Sequence, residues 1–210
     1  MNRRPLTSRG NPWAVSAAKW LARVPVRPNH ISLASMVFAC GAGLSLLFAD
    51  SRAEWYLAAA VMIQLRLLCN LMDGMVAIEG ALQSKSGEIY NDLPDRISDA
   101  IILILAGYSL SWPAWSRELG WSAALLAVMT AYARVLGGAS GLVQDFSGPM
   151  AKPHRMAVLT AGCIGAAAES FIGASPRSLA IALGVIVIGS AATMVRRTAR
   201  IVQQLESRSS

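Results

Sequence analysis

The sequence predicts an all-α integral membrane protein: six transmembrane helices preceded by an amphipathic interfacial helix, with both termini in the cytoplasm. Three observations lead there. Apolar residues make up 54% of the 210-residue chain and charged residues only 15%, with a mean hydropathy of +0.46. A soluble domain carries about a quarter charged residues, so this chain has too little polar surface to cover a globule. The same numbers exclude a disordered chain, a coiled coil and a disulfide scaffold. Next, six stretches approach the roughly 20 apolar residues that cross a hydrocarbon core of about 30 Å. Finally, the net charge of +7 falls unevenly on the joints between them.

Residues 1–30 form a mixed leader, without the pattern of a cleavable signal peptide. Within it, 12–26 sets Trp13, Val15, Trp20, Leu21 and Val24 around Lys19 and Arg23. That is the pattern of a helix lying in the headgroup region, with Trp at the interface; a plain tether is the alternative. The first span, 31–49, holds no charge. The second, 55–77, holds Arg66, Asn70 and Asp73, and the third, 91–112, is apolar only after Asp99. The fourth, 121–138, contains Arg134, the fifth, 156–172, carries Glu169 near its end, and the sixth is 178–195. Polar joints at 50–54, 113–120 and 173–177 read as tight turns, and 139–155 as a longer Gly/Pro-bearing loop. The chain thus divides into a leader (1–30), a six-helix domain (31–195) and a basic tail (196–210).

With the amino terminus inside, thirteen basic residues are cytoplasmic: Arg3, Arg4, Arg9, Lys19, Arg23, Arg27, Lys85, Lys152, Arg155, Arg196, Arg197, Arg200 and Arg208. Arg52, Arg117 and Arg177 are outside, and Arg66, Arg96 and Arg134 lie within or at the ends of spans, which accounts for all nineteen. Thirteen against three obeys the positive-inside rule. Cys40, Cys69 and Cys163 sit in apolar runs without metal-ligand spacing and read as buried small residues with no disulfide.

Ionisable groups inside a membrane are expensive, and each is a functional hypothesis. At 3.6 residues per turn, positions 66, 70, 73 and 77 share one helical face, as do Asn91, Asp95, Ser98 and Asp99. Both faces fall at the cytoplasmic ends of consecutive antiparallel spans, so Asn70 and Asp73 are expected opposite Asn91 and Asp95. Oxygen ligands gathered at one depth suit a hard cation such as Mg²⁺ or Mn²⁺. The alternative is that these groups cap helices and hydrogen-bond across an interface. Gly74 and Gly87 remove side chains beside the cluster and let a ligand approach the backbone.

The order Asp73-Gly74-x-x-Ala77-Ile78, then Gly87, Asn91 and Asp95, resembles the signature of the CDP-alcohol phosphotransferases, D-x-x-D-G-x-x-A-R, eight residues, G-x-x-x-D-x-x-x-D. Pro28-Asn29-His30-Ile31-Ser32 is similar to the family's Pro-Asn-x-(Ile/Leu)-Thr segment, and Lys152-Pro-His154-Arg155 to its Gly-Lys-x-Lys-Thr segment. The resemblance covers nearly the whole chain. The family's first and third aspartates are Asn70 and Asn91 here, and its arginine is Ile78.

The resemblance implies a divalent-metal-dependent enzyme of phospholipid synthesis, and a homodimer. It would move a phosphatidyl or similar phosphoryl group from a CDP-linked lipid, CDP-diacylglycerol foremost, to a small polar alcohol with release of CMP. By the same carry-over Asp95 is the base, Asn70, Asp73, Asn91 and Asp95 are the metal set, and Gly74, Ala77 and Gly87 lie beside the nucleotide. Four carboxylates offset two divalent cations, whereas two leave surplus charge that a partly buried site tolerates poorly. One ion is therefore expected, or two once the donor diphosphate arrives.

Arg66 is placed to replace part of the missing cation or to pair with Asp73, and Lys85 or Arg96 to stand in for the signature arginine. Asp92 is expected solvated or capping, and Asp99 as an extra ligand or a partner for Arg134. Arg134, Lys152 and Arg155 form a basic group suited to a substrate phosphate or to plain positive-inside charge. His154 reads as a loop residue. Glycerol 3-phosphate, inositol phosphate and serine all remain open as acceptors, and the basic group favours a phosphorylated one. Two other classes compete: a catalytically silent relative acting as a binding or assembly subunit, and a solute transporter. The latter predicts midplane sites and inverted repeats that this sequence lacks.

Overall fold

The computed structural model describes residues 28–49, 52–79 and 87–209, together with Pro12, Ser16 and Trp20. Of the expected interfacial helix only those three single residues are described; they are helical and exposed. The rest of that helix and Lys85 lie outside the described residues.

Among the described residues every regular element is a helix: α1 (Pro28–Leu47), α2 (Glu54–Glu79), α3 (Gly87–Tyr108), α4 (Ser116–Ala139), α5 (Lys152–Phe171) and α6 (Arg177–Ser209). Four of them, α1, α2, α4 and α6, are long and apolar enough to cross a membrane. The two that fall short do so for visible reasons. The amino-terminal half of α3 carries Asp92, Asp95, Arg96 and Asp99, and α5 is an Ala- and Gly-rich helix that starts at Lys152 and ends near Glu169.

Several helices outrun their apolar stretches, because hydropathy marks the solvent and not the hydrogen-bonded backbone. Helix α3 begins at Gly87, four residues before its expected start, although Pro94 removes one amide from the ladder. Helix α4 begins at Ser116, where the Ser116 hydroxyl donates to the Leu110 carbonyl at 3.0 Å. Helix α6 continues through the basic tail as one helix of 33 residues. The amide and hydroxyl of Ser178, at the start of α6, donate to Glu169 at 2.9 and 2.7 Å, so a carboxylate meets the positive end of the helix dipole.

The helices pack in the cyclic order α1–α2–α5–α6–α4–α3, and α3 touches α6 across the ring. Helices α2 and α3 are consecutive in sequence but do not lie tightly side by side. Each packs on α1, leaving their polar faces to meet through long side chains.

One end of this ring is apolar and tightly closed. Small residues carry its contacts, as is usual where lipid supplies no hydrophobic drive for helix association. A Cβ on Gly120 would sit 2.8 Å from the Leu103 carbonyl oxygen and 3.0 Å from the Gly107 Cα, and one on Gly162 would meet the Ala182 Cβ at 2.5 Å. The outer surface is apolar as well: Val37, Val61, Leu125 and Ile188 are between 56% and 73% exposed. Apolar exposure on this scale, repeated around the ring, suits lipid better than water. Cys40 lies on this exposed surface, which corrects its expected burial; Cys163 is buried and Cys69 half-buried, and all three are free.

Candidate active site

The opposite end of the ring gathers the buried ionisable groups, with polar side chains from every helix. Helix α2 supplies Arg66, Asn70 and Asp73. Helix α3 supplies Asn91, Asp92, Asp95, Arg96 and Asp99. Arg134 comes from α4, Lys152 and Arg155 from α5, Arg197 from α6, and Ser32 from the first turn of α1.

Asp95, nearly buried, is the hub. Its Oδ1 accepts hydrogen bonds from the Asn70 amide at 2.6 Å and from Arg66 Nη2 at 3.2 Å, while Lys152 Nζ donates to Oδ2. Arg66 Nη2 also reaches the Asp95 carbonyl at 3.2 Å and lies 2.7 Å from Asp99 Oδ1. The expected opposition of Asn70 and Asp95 is thus observed. The expected Arg66–Asp73 pair is not: fully buried Arg66 turns to Asp95 and Asp99 instead. Asp73, also buried, accepts a hydrogen bond from the Ser32 hydroxyl. Ser32 belongs to the Pro28–Ser32 segment singled out in the sequence, where its spacing from Ser35 in an apolar run was the available signal.

Asp92, not Asp99, is the partner of Arg134. Asp99 is buried between Arg66 and Arg155, the latter at 3.2 Å. Asp92 is half-buried and also holds Arg96 at 2.9 Å, so it is neither solvated nor a simple cap. Arg155 is buried, and its Nη1 donates to the Met150 carbonyl at 3.1 Å and to Thr130 Oγ1 at 3.3 Å. Arg134 also donates to Gln144 at 3.0 Å and stacks on the Phe146 ring, 4.9 Å from its centroid. Gly74 is buried, Ala77, Gly87 and Asn91 are half-buried, and His154 is exposed on the first turn of α5.

The loop after α4 is strapped to α6. Arg197 donates to the Ser147 carbonyl at 2.9 Å and to the Thr130 carbonyl at 2.6 Å, and Thr193 Oγ1 accepts the Met150 amide at 2.9 Å. Gly148 has a φ of +138°, and a Cβ there would stand 2.4 Å from Thr193 Cγ2. Arg200 pairs with Asp145 at 3.0 Å. Partial burial opposes ionisation of the Asp145 carboxyl, but hydrogen bonds from Ser147 and Arg200 outweigh it and hold the group below the usual carboxylate value.

A family model for CDP-alcohol phosphatidyltransferase matches residues 25–195. The chain belongs to this family. This CDP-alcohol phosphatidyltransferase family member is 30% identical over 136 residues to the inner membrane protein YnbA of Escherichia coli (strain K12), covering 65% of this chain and 66% of YnbA. Its fold is that of the Mycobacterium tuberculosis phosphatidylinositol phosphate synthase PgsA1. The crystal structure of PgsA1 with CDP-DAG bound gives a TM-score of 0.73 at 20% identity, over 90% of this chain and 92% of that one. PgsA1 in complex with manganese and citrate gives 0.75 at 20% identity, over 90% and 88%. The motif Asp73-Gly74, Gly87, Asn91, Asp95 lies inside the family match, at the polar end of the ring.

The donor set does not fit two divalent ions. Among the described residues no group of three or more His, Cys, Asp or Glu stands close enough to share a metal. Both oxygens of Asp95 already accept from cations or an amide, and Asn70 presents its N–H₂, not its carbonyl, to Asp95. The buried cluster has donors to spare: Nε and Nη1 of Arg66 and Nε of Arg155 and Arg96 find no hydrogen-bond acceptor among the described residues. A cation needs lone pairs, and spare N–H groups repel it. Arg66, Arg96, Arg134, Lys152, Arg155 and Arg197 already outnumber Asp73, Asp92, Asp95 and Asp99, so each added divalent ion brings two uncompensated charges into a buried site.

Proposed function

We propose that this protein transfers a phosphatidyl or similar phosphoryl group from a CDP-linked lipid, CDP-diacylglycerol foremost, to a small polar alcohol in phospholipid synthesis. The observation that carries the reading is the placement of the family's motif: Asp73 and Asp95 are buried at the same polar end of the ring. Asp95 is held there from α2 and α5. The alcohol oxygen attacks the phosphorus bearing the lipid, the P–O bond to CMP breaks, CMP leaves, and the hydroxyl proton passes to Asp95 and then to solvent. Such a transfer asks mainly for in-line positioning, fixed cations against developing charge and a base near the nucleophile.

Asp95 is the base, and Lys152 and Arg66 hold it in place. Asp73 faces the diphosphate, with Asn70 and Asn91 beside it, and Gly74, Ala77 and Gly87 flank the nucleotide. Asp73 and Asn91 would hold Mg²⁺ or Mn²⁺, which would supply neutralising charge to the donor diphosphate. Arg134 and Arg155 border the acceptor. The six helices span the bacterial inner membrane, with both termini and the site on the cytoplasmic face. YnbA's description as an inner membrane protein and the thirteen-to-three charge asymmetry support this orientation. A homodimer is the assembly expected of the family.

The test is CMP release by the purified protein given CDP-diacylglycerol, Mg²⁺ or Mn²⁺ and a panel of alcohols. CMP release that depends on one acceptor establishes transfer. The Asn70 and Asn91 positions favour a second reading, a silent binding subunit; no CMP with any acceptor, and none after Asn70→Asp with Asn91→Asp, would establish that instead.

A further inference from the structure

We propose that the Asp95 side of the site carries a built-in cation: the Lys152 ammonium and the Arg66 guanidinium occupy the electrostatic place of a second divalent ion, so the protein binds no more than one. Three observations converge on this. Lys152 and Arg66 approach opposite oxygens of Asp95, bracketing the carboxylate as a bound metal and its neighbour would. Asn70 stands at a position where the signature calls for a carboxylate ligand, yet its amide donates to Asp95 at 2.6 Å. A carboxylate there would repel Asp95 across that distance unless a metal lay between them; an amide closes the gap with no metal. Lys152 also sits in the first turn of α5, where the helix dipole disfavours a cation. The interaction with Asp95 offsets that local cost.

The remaining polar atoms agree. Asp99 Oδ1 meets the same Arg66 Nη2 that reaches Asp95, while Arg155 holds Asp99 Oδ2, and the Arg66 side chain is fully buried. The unpaired buried nitrogens on Arg66, Arg155 and Arg96 are donors, which serve an anion and not a second cation. Charge that a metal-bound relative would draw from solution is supplied here covalently, by α2 and α5. Lys152 and Arg66 are positioning residues in this scheme, acting through Asp95. The scheme deepens the transferase reading but does not depend on it for its measurement.

The experiment counts ions. The purified full-length protein in detergent is titrated with Mn²⁺ alone, and bound ion is counted from the electron paramagnetic resonance of the free ion. One ion per chain or none is expected; two per chain would overturn the proposal. Lys152→Met with Asn70→Asp, which removes the Lys152 half of the built-in cation and restores an acid, is expected to bind one ion more than the wild type, whereas Lys152→Arg keeps the wild-type count. A folded double variant with an unchanged count also overturns the proposal, and if that variant does not fold the wild-type count decides. CMP release is scored separately. One ion with no CMP defeats the transferase reading and leaves the built-in cation standing, and two ions with CMP release does the reverse.

Discussion

The two ends of the helical ring solve the same packing problem with opposite materials. At the apolar end, helices approach until the Gly107 and Gly120 backbones touch and the Ala182 methyl lies on Gly162, and van der Waals contact is the glue. At the polar end, α2 and α3 stand apart and are joined by Arg66 and Asn70 reaching Asp95 and Asp99. Closeness makes the first end rigid and leaves it without chemistry. Distance bridged by charges makes the second end able to admit a substrate, at the cost of burying ions whose removal one at a time is severe.

The largest effect expected from this contrast is on turnover. Asp95→Asn should lower CMP release by about 10²–10⁴-fold, the usual worth of a positioned base, with unchanged helicity by circular dichroism; near-wild-type turnover would remove Asp95 from the chemistry. Next comes the ion chain. Arg155→Met leaves Asp99 with Arg66 alone and should lower stability by about 3–5 kcal/mol, as breaking a buried pair does, read by denaturation in mixed micelles. At the apolar end, Gly120→Val forces α3 and α4 apart and should cost about 1–3 kcal/mol by overpacking. Gly184→Ala is the control, since a Cβ there meets nothing within 4 Å, and it should stabilise α6 by about 0.5–1 kcal/mol.

The smallest effect is electrostatic and lies outside the membrane. The Asp145 carboxyl is held below its usual value, so its contribution to stability is present above about pH 4, the unfolded value, and is lost as the pH falls through the folded one. The wild type should therefore exceed Asp145→Asn in melting temperature by a degree or so at neutral pH. The two should converge at pH 3, and a gap that persists there would assign the effect to packing.

Much of the fold was legible because the solvent writes it: six apolar stretches became six helices, and the positions at 66, 70, 73 and at 91, 95, 99 fell on the predicted faces. Asn70 opposite Asp95 followed from period and depth alone. Pairing was not legible. Which of three carboxylates takes Arg66 or Arg134 depends on angles of a few tens of degrees between helices, and on α1 wedging between α2 and α3, neither of which leaves a mark in hydropathy. Helix ends were also hidden. The first turns of α3, α4 and α5 lie in polar sequence, so the apolar count starts late even though the backbone is already coiled.

The 33 residues of α6 run to about 50 Å at 1.5 Å per residue, against a hydrocarbon core of about 30 Å. The helix is therefore about 20 Å longer than such a layer is thick, and Arg197, Arg200 and Arg208 rig to it the segment that delivers Lys152. The depth at which Lys152 enters is thereby set by a stiff rod and not by a slack loop, so a cargo fused to the carboxyl terminus would pull on the rod that positions the reactive centre.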